Sequence, residues 1–575
     1  MLFRTLLFLF TFTVNTSMGL MAQSNFVEAP SGIRNDSRIA QLTDHSIWWK
    51  EVVFYQIYMP SFQDSDGDGY SDFKGMTERL DYLQSLGIKG IWLTPFLKSP
   101  KVDNGYDVAD YYNIDPVYGY MHDFREFIEE AHKRGIKVIM DMVVNHTSTD
   151  CKWFRESGKS RNNPYRDYYI WQDKPNNWES FFGGSAWELD TLTNQYYYHK
   201  FDVRMADLNW SNPLVVEEIQ NVLRFWLDLG VDGFRMDVIN FLFTDYNFLD
   251  NPVEHGKQLH INDIDQQGVK NAMRTIKATL NEYDDRFIVG EIGSDKLDVL
   301  KEYQSPDMMD VVFNFNFGSI PGFSHQRIFG ELRNMEKQMP GYPTLFFGSH
   351  DMPRPMNRLA SADPEKAASL AALILTSKGV PFIYYGEEIG MQNIIARSYE
   401  EIADIQGRTQ YTLALKAGKS EAEALVIGND NNRDKSRSPM QWDSSENAGF
   451  TTGKPWIKVH EQYKTINVKE SETQKHSLLQ TYKELINLRN KEKALQHGTY
   501  RKLGNKNGLI YYTRSYHGEN LSVLINFGEL TSIRLPRGGK ILAEGFSESS
   551  SINHTMSRVR KKIQLKTNSY LIYKH

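Results

Sequence analysis

From about residue 50 onward, short apolar runs alternate with amphipathic stretches, and this alternation restricts the possible folds strongly. The apolar runs predict buried strands, and the stretches between them carry the spacing of helices. Phe124, Phe127, Ile128 and Ala131, for example, lie at helical spacing before Gly135. The predicted strands are residues 52–58, 88–93, 137–143, 233–236, 287–290, 311–315, 344–347 and 380–385. These repeated units predict an α/β fold, the (β/α)8 TIM barrel.

Two segments depart from the repeat. Residues 147–208, between the third and fourth strands, are dense in Trp, Tyr, Asn and Gly and are too long for a plain loop, so we expect an inserted subdomain that overhangs the barrel. Residues 496–575 change to short β-rich runs, which predict a separate all-β sandwich domain. The barrel itself then comprises residues 45–146 and 209–495.

The charges and the cysteine content exclude several classes of function. The 72 acidic and 66 basic residues leave a net charge of -6, and the basic residues are scattered, so we expect no binding to nucleic acid. The single cysteine, Cys151, excludes an internal disulfide and a thiolate metal cluster. Aromatic residues make up 13% of the chain, which suits either the apolar faces of sugars or a Tyr-rich core.

The N-terminus has the pattern of a signal peptide, which we predict over residues 1–22. Arg4 supplies the positive charge, and residues 6–14 form an apolar run that is too short to span a bilayer. Ser17, Gly19 and Ala22 are small residues suited to cleavage. No later stretch reaches about 18 apolar residues, so we expect no membrane association and a secreted or periplasmic protein.

Acidic side chains follow several of the predicted strands at the point where each strand ends. Asp237, Glu291 and Asp351 lie 54 and 60 residues apart, so only the fold can bring them together. Neighbouring carboxylates repel one another, which leaves one ionised as a nucleophile and one protonated as an acid. Retaining glycoside hydrolysis needs such a pair, about 5 to 5.5 Å apart. A lone carboxylate is more often an ion-pair partner, but several such groups from four strands favour a catalytic site.

Four strings around these residues resemble the hallmark regions of glycoside hydrolase family 13, the α-amylase family. They are residues 141–146 (Asp-Met-Val-Val-Asn-His), 233–237 (Gly-Phe-Arg-Met-Asp), 289–291 (Val-Gly-Glu) and 349–351 (Ser-His-Asp). Residues 103–107, 163–171 and 437–442 are similar to its oligo-1,6-glucosidase and α-glucosidase branch. Residues 205 and 206 depart from that branch, because they read Met-Ala where Gln-Pro is typical.

The resemblance implies a role for each matching residue. Asp237 corresponds to the nucleophile, Glu291 to the acid and base, and Asp351 to the third carboxylate, which holds the sugar 2- and 3-hydroxyls. The remaining positions imply substrate contacts: His146 and His350 donate to hydroxyls, Arg235 pairs with the nucleophile, Tyr106 stacks under the glucose, and Asp103 with Arg437 closes the pocket. The implied activity is that of an exo-acting α-glucosidase on small oligosaccharides. A transglycosylase, a sugar isomerase, a non-catalytic relative and a sugar-binding module of an uptake system remain as alternatives.

The loop after the first strand alternates oxygen ligands in the manner of a calcium-binding loop. The ligands are Asp64, Asp66, Asp68 and Asp72, and the resemblance adds the Tyr70 carbonyl and favours a structural Ca²⁺. The alternative is an Asp/Gly turn without an ion.

Val238 follows the predicted nucleophile and is expected to line the acceptor side of the site. Valine at this position resembles the α-1,6-preferring members of the family, whereas alanine or threonine resembles the α-1,4-preferring ones. The neighbouring Ile239 and Asn240 resemble the latter, and Val238 could instead simply pack the end of the strand, so the linkage preference stays open.

Overall fold

The computed structural model describes residues 48–339, 341–534, 539–545 and 562–575, so the predicted signal peptide lies outside the described residues. The predicted barrel is confirmed within them. Parallel strands form one sheet, in the order sixth, fifth, fourth, third, second, first, eighth, seventh. From first to eighth, the strands are Phe54–Ile57, Gly90–Leu93, Lys137–Met142, Gly233–Met236, Phe287–Gly290, Val311–Val312, Thr344–Leu345 and Val380–Tyr384.

The sheet closes almost completely. The first strand pairs with both the second and the eighth, with Phe54 opposite Phe382. The described sixth and seventh strands share no backbone ladder, but the Thr344 hydroxyl bridges them. It donates to the Val312 carbonyl at 3.1 Å and accepts from the Asn314 amide at 3.0 Å. The strands are buried on both faces, as expected for a barrel enclosed by helices.

Helices follow the strands, and side chains or prolines mark several of their beginnings. Asn212 caps the helix that begins at Pro213, and Asp363 caps the one that begins at Pro364. No helix of the described ranges has the length and apolar character needed to cross a bilayer. The α-helices are Trp48–Glu51, Phe73–Glu78, Leu80–Leu86, Met121–Lys133, Lys152–Ser157, Pro213–Asp228, Gly268–Leu280, Leu297–Tyr303, Phe315–Gly318, His325–Gln338, Pro355–Arg358, Pro364–Thr376, Ile405–Lys416, Glu421–Asn431, Val468–Thr473, Leu478–Lys491 and Lys493–His497.

The long segment after the third strand starts and ends at one antiparallel ribbon. His146–Ser148 pairs with Met205–Asp207, which brings both ends of the segment to the carboxyl end of the third strand. A small sheet of Trp171–Gln172, Gln195–Tyr198 and Trp187–Asp190 lies within it. Two further short pairs are Leu97–Lys98 with Asp110–Ile114 and Val253–Glu254 with Lys257–Gln258.

The C-terminal part is antiparallel β-structure, as predicted. A five-stranded sheet has the order Thr499–Lys506, Leu509–Tyr516, Glu519–Asn526, Ser569–Lys574 and Lys540–Gly545. Thr531–Arg534 and Lys562–Leu565 form a second, two-stranded sheet.

Buried arginines join this C-terminal sheet to the barrel just before the eighth strand. Arg514 donates to the carbonyls of Thr376 and Gly498, at 2.9 and 2.7 Å. Arg489 donates to the carbonyls of Leu375 and Gly379, at 3.0 and 2.6 Å. The Lys378 amide donates to the Tyr500 hydroxyl at 2.9 Å. Residues 375–379 are therefore held by side chains that come from later in the chain.

Candidate active site

Arg235 lies at the centre of a carboxylate cluster at the carboxyl ends of the third, fourth and fifth strands. Its Nη1 donates to Asp141 Oδ1 and to Asp237 Oδ1, each at 2.6 Å, and its Nη2 contacts Glu291 Oε2. The arginine side chain is 2% exposed, whereas Glu291 is 17% exposed. The barrel therefore brings Asp237 and Glu291 together on one guanidinium, with Glu291 the more accessible of the two.

Burial and charge set the protonation of this cluster. Burial raises the pKa of Asp237 well above its usual range; Arg235 opposes the rise, and Glu291 and Asp141 add to it. Burial likewise raises the pKa of Asp141 to about 6, against the pull of Arg235. One guanidinium cannot balance three carboxylates, so the cluster favours retention of a proton.

Tyr106 and His350 stack in parallel beside the cluster, with ring centroids 5.6 Å apart. The Gln56 amide donates to His350 Nδ1 at 2.7 Å, which leaves the ring proton on Nε2, 2.6 Å from the Tyr106 hydroxyl. Tyr106 in turn donates to Asp141 Oδ2 at 3.0 Å. Burial lowers the pKa of His350 to about 3, so the ring is a neutral donor at neutral pH.

Asp351 is the most exposed member of the predicted trio, at 31% of its side chain. Burial raises its pKa, but His350, Arg433 and Arg437 outweigh that effect and hold the pKa at about 2. Arg437 Nη2 lies 3.2 Å from Asp351 Oδ1, and the Arg437 Nε donates to the His350 carbonyl at 2.8 Å. Asp351 is thus an ionised, partly exposed acceptor.

The predicted pair of Asp103 and Arg437 differs from the contact in the structure. Asp103 forms its ion pair with Arg433, at 2.5 Å, and Arg433 also binds Asp404 at 2.6 Å. Arg437 lies 3.7 Å from the same Asp404 and contacts Asp351 instead. The two predicted residues therefore belong to one network, but Arg433 stands between them.

His146 lies at the start of the ribbon that follows the third strand. It is 1% exposed, and its ring packs against Phe201 with centroids 5.2 Å apart. Burial lowers its pKa to about 3. Its Nε2 is buried and has no hydrogen-bond partner among the described residues.

Val238 adopts a left-handed backbone conformation, with φ of 37° and ψ of 46°. This conformation is unfavourable for a β-branched residue and indicates local strain. The Val238 amide donates to Glu291 Oε2 at 3.4 Å, and the Ile239 amide donates to the Glu291 carbonyl at 3.1 Å. The turn therefore connects the ends of the fourth and fifth strands.

Three of the predicted metal ligands lie together. Asp64, Asp66 and Asp72 offer carboxylate oxygens within 4.8 Å of one another, whereas Asp68 is not part of this group. Asp64 also accepts from the amides of Gly67 and Gly69, at 2.7 and 2.8 Å. The Tyr70 ring stacks on Trp456, with centroids 5.9 Å apart. This loop lies outside the carboxylate cluster around Arg235.

Arg433 and Asp404 are not among the site residues predicted from the sequence. Both come from the connection after the eighth strand, where no barrel periodicity marks a site. Arg433 begins a short 3₁₀ turn, Arg433–Ser436, and lies four residues before Arg437 in a polar run. That spacing from Arg437 was the signal in the sequence that could have indicated Arg433. Asp404 caps the helix Ile405–Lys416 and resembles an ordinary N-cap in the sequence.

Comparison with known proteins agrees with this geometry. The family model described as alpha amylase, catalytic domain, matches residues 56–498. An oligo-1,6-glucosidase of Parageobacillus thermoglucosidasius is 41% identical over 519 residues, which are 85% of this chain and 92% of that protein. A trehalose-6-phosphate hydrolase of Bacillus subtilis is 38% identical and covers 86% of this chain and 92% of its own.

Comparison with solved structures also finds enzymes that act on small glucosides. The crystal structure of a trehalulose synthase from Pseudomonas mesoacidophila MX-45 superposes with a TM-score of 0.84 at 35% identity. It covers 92% of this chain and 99% of its own. The likeness therefore includes the barrel, the inserted segment and most of the C-terminal part.

These relatives overturn the predicted location. Homologues of the two named kinds, the trehalose-6-phosphate hydrolases and the oligo-1,6-glucosidases, are cytosolic proteins. The prediction of a secreted or periplasmic protein depended on residues 1–22 alone, which lie outside the described residues. That prediction is wrong.

The order of the four strings, their position at the strand ends and the matched relatives all agree. The chain belongs to the α-amylase family of glycoside hydrolases, in its oligo-1,6-glucosidase branch.

Proposed function

We propose that the protein is an exo-acting, retaining α-glucosidase that releases glucose from the non-reducing ends of short α-glucosides. The observation that carries this proposal is the arrangement of Asp237 and Glu291 on the two ends of one guanidinium, that of Arg235. A buried carboxylate fixed by an arginine is suited to attack a carbon atom, and a more exposed carboxyl beside it is suited to exchange a proton with the leaving group and with water.

The proposed reaction proceeds by double displacement. Asp237 attacks the anomeric carbon while Glu291 gives its proton to the glycosidic oxygen, so the sugar–oxygen bond breaks and a β-glucosyl ester forms. Glu291 then removes a proton from water, the resulting hydroxide attacks the same carbon, and Asp237 leaves with its bonding electrons. Asp351 accepts hydrogen bonds from the sugar 2- and 3-hydroxyls, and neutral His146 donates to a hydroxyl. The single ring proton of His350 lies toward the Tyr106 hydroxyl, so His350 would donate to the sugar only by giving up that hydrogen bond.

The ion-pair network around Arg433 supports the exo mode. Asp103, Arg433 and Asp404 join the turn after the second strand to the connection after the eighth strand, and Arg437 adds Asp351. We propose that this network closes the side of the pocket where a longer chain would have to continue beyond the first glucose. We therefore assign Asp103, Arg433 and Arg437 to the closed end of the pocket, and Tyr106 to its floor.

A substrate with blocked ends tests the exo mode. We expect glucose release from p-nitrophenyl α-glucoside and from isomaltose or maltose, and no reaction with soluble starch whose non-reducing ends are blocked. The measurement is free glucose together with the iodine colour of the starch. Rapid loss of colour would show an open cleft and an endo-acting enzyme.

Transfer to a second sugar is the alternative outcome of the same chemistry. The structural likeness to a trehalulose synthase favours it as the second candidate. If a sugar hydroxyl rather than water intercepted the glucosyl ester, new glucosides would accumulate at high substrate concentration. Product analysis over a range of substrate concentrations distinguishes the two.

We further propose that Ca²⁺ binds the Asp64–Asp72 loop. Carboxylate and carbonyl oxygens are the donors that this hard cation prefers, and the clustered Asp64, Asp66 and Asp72 fit that set. Asp68 and the Tyr70 carbonyl would complete it from the same loop. Asp64 also accepts from the Thr451 hydroxyl at 2.5 Å, so the loop is tied to a second segment. The ion would therefore contribute to stability rather than to chemistry.

Chelation should lower the melting temperature without an immediate loss of activity. A ligand that binds only the folded state stabilises it by mass action, so its removal should reduce the free energy of unfolding. The measurement is a melting curve with EDTA and after Ca²⁺ is restored, alongside activity at low temperature. An Asp66→Asn variant should reproduce the effect. Instant inactivation of folded enzyme would instead make the ion catalytic.

The residue after the nucleophile should influence the linkage preference. We expect the enzyme to favour isomaltose over maltose, because the apolar Val238 offers no hydrogen bond to the ring hydroxyl that an α-1,4 acceptor presses against it, whereas a threonine hydroxyl would. Val238→Thr should shift the ratio of kcat/KM toward maltose by about 1 to 3 kcal/mol. Both side chains are β-branched, so the strain of the left-handed turn is matched. An unchanged ratio would remove Val238 as the determinant.

A further inference from the structure

Lys200 and Asp263 form a fully buried ion pair away from the carboxylate cluster. Lys200 Nζ lies 2.6 Å from Asp263 Oδ2, and their side chains are 1% and 0% exposed. Lys200 also donates to the Glu179 carbonyl at 3.1 Å, and Asp263 accepts from Asn251 and His260, at 2.9 and 3.0 Å. A buried pair is costly to desolvate, and its hydrogen bonds must be complete to compensate.

The pair joins two separate segments of the chain. Lys200 belongs to the segment inserted after the third strand, and Asp263 belongs to residues 242–266, which follow the fourth strand. Neutral contacts accompany the pair: Gln258 donates to the Asn177 carbonyl at 2.6 Å, and Trp178 donates to the Leu249 carbonyl at 3.0 Å. Lys200 and Asp263 form an ion pair across this interface.

A short path leads from Lys200 to the site. Its amide donates to Asp207 Oδ1 at 2.8 Å, and Asn145, next to His146, donates to Asp207 Oδ2 at 2.9 Å. The following residue, Phe201, packs its ring on His146. A shift of Lys200 would therefore displace Phe201, the next residue in the chain.

A second path leads from Asp263 to the turn after Asp237. The amide of Asp265 donates to the Asn240 carbonyl at 2.8 Å, two residues beyond Val238. The neighbouring Phe241 ring lies 5.6 Å from Phe201 and 5.8 Å from Lys200 Nζ. The walls from the third and fourth strands thus meet at Phe201 and Phe241, and the ion pair lies behind their contact.

An exposed aromatic ring marks the edge of this contact. Phe181 is 56% exposed, its ring packs on Phe201 and Phe241, and its amide donates to the Lys200 carbonyl at 2.7 Å. In the proposed function the Asp103–Arg433 network closes the other end of the pocket, so we expect a second sugar on the side of Phe181. An aromatic face there suits the apolar face of a pyranose.

We propose that Lys200 and Asp263 are positioning residues that hold the inserted segment against residues 242–266 and thereby fix the acceptor side, where the leaving-group sugar binds. This inference rests on the proposed glucosidase function. The pair acts on binding of the second sugar and leaves the chemistry at Asp237 and Glu291 unchanged.

The test compares two substrates that differ only in the leaving group. The leaving group of isomaltose is a sugar, which must bind on the acceptor side. The leaving group of α-glucosyl fluoride is a fluoride ion, which does not use that side. The double variant Lys200→Met with Asp263→Asn avoids an unpaired buried charge. We expect it to raise KM for isomaltose by about 10-fold or more, with kcat within about 3-fold, and to leave kcat/KM for the fluoride within about 2-fold.

A second buried pair provides the control. Lys277 lies 2.8 Å from Asp310, and their side chains are 8% and 16% exposed, at the opposite end of the barrel from the site. Lys277→Met with Asp310→Asn should change the melting temperature but not the ratio of kcat/KM for isomaltose to kcat/KM for the fluoride. Lys200→Arg is the substitute test if the double variant does not fold, because it keeps the charge but changes the geometry. It should lower the ratio of kcat/KM for isomaltose to kcat/KM for the fluoride, as the double variant should.

An unchanged ratio in the folded Lys200 variants, or an equal loss on both substrates, would overturn the positioning role. Wild-type enzyme inactive on both substrates would instead refute the glucosidase function. The two failures are therefore distinguishable.

Discussion

Replacing Asp237 by asparagine, or Glu291 by glutamine, should lower kcat by about three orders of magnitude or more while the fold survives. The amide at 237 cannot form the glucosyl ester, and the amide at 291 cannot give a proton to the leaving oxygen. Each substitution keeps the size of the side chain, and Arg235 still has two carboxylates to bind.

The measurement is kcat on p-nitrophenyl α-glucoside, together with a melting curve for each variant. Azide should partly restore turnover in Asp237→Ala and give a small amount of β-glucosyl azide. The exposed Asp295, four residues beyond Glu291, offers a matched control, because Asp295→Asn should keep full activity. Near-normal turnover in Asp237→Asn or in Glu291→Gln would refute its assigned role.

Replacing Arg235 by methionine should have the second largest effect, a fall in kcat/KM of about 10²- to 10³-fold. Arg235 lowers the pKa of Asp237 and of Asp141 against the effect of burial. Without the guanidinium, the pKa of Asp237 rises further, so more of the nucleophile is protonated at neutral pH. The acid limb of the pH profile should therefore move to higher pH, and the loss should be smaller in alkaline buffer.

The pH profile of kcat/KM measures this shift. Arg235→Lys is the informative partner, because it keeps one positive charge but cannot bind three carboxylates at once. We expect it to retain an acid limb close to that of the wild type while activity still falls. An Arg235→Met enzyme with an unshifted profile would show that Arg235 does not control the ionisation of Asp237.

The barrel could be predicted from the sequence because each strand is a short apolar run, and every predicted run contains an observed strand. The ends were less accurate where the chain bends early: residues 311–315 were predicted as a strand, but pairing stops at Val312 and the helix Phe315–Gly318 follows. Periodicity reports burial, and Phe313 is buried whether or not its backbone pairs.

The residues of the cluster around Arg235 were also predictable, because strand ends mark them. Arg433 was not, since its partner Asp103 lies 330 residues earlier and no local pattern links the two. Lys200 was not predicted for a similar reason, since between His199 and Phe201 it resembles a solvated lysine. Only the fold shows that it is buried in an ion pair with Asp263. Interactions between distant loops leave no periodic trace.

The join between residues 375–379 and the C-terminal sheet constrains how the chain folds as it is made. The first strand can pair with the eighth only after the eighth has been synthesised, since Phe54 pairs with Phe382. The residues just before the eighth strand are bound by Arg489, Tyr500 and Arg514, which are synthesised later still. Until then the first strand presents an unpaired edge, the kind of surface that aggregates. Closure is thus among the last steps, and a ribosome that stalls before residue 514 leaves an open sheet for chaperones to protect.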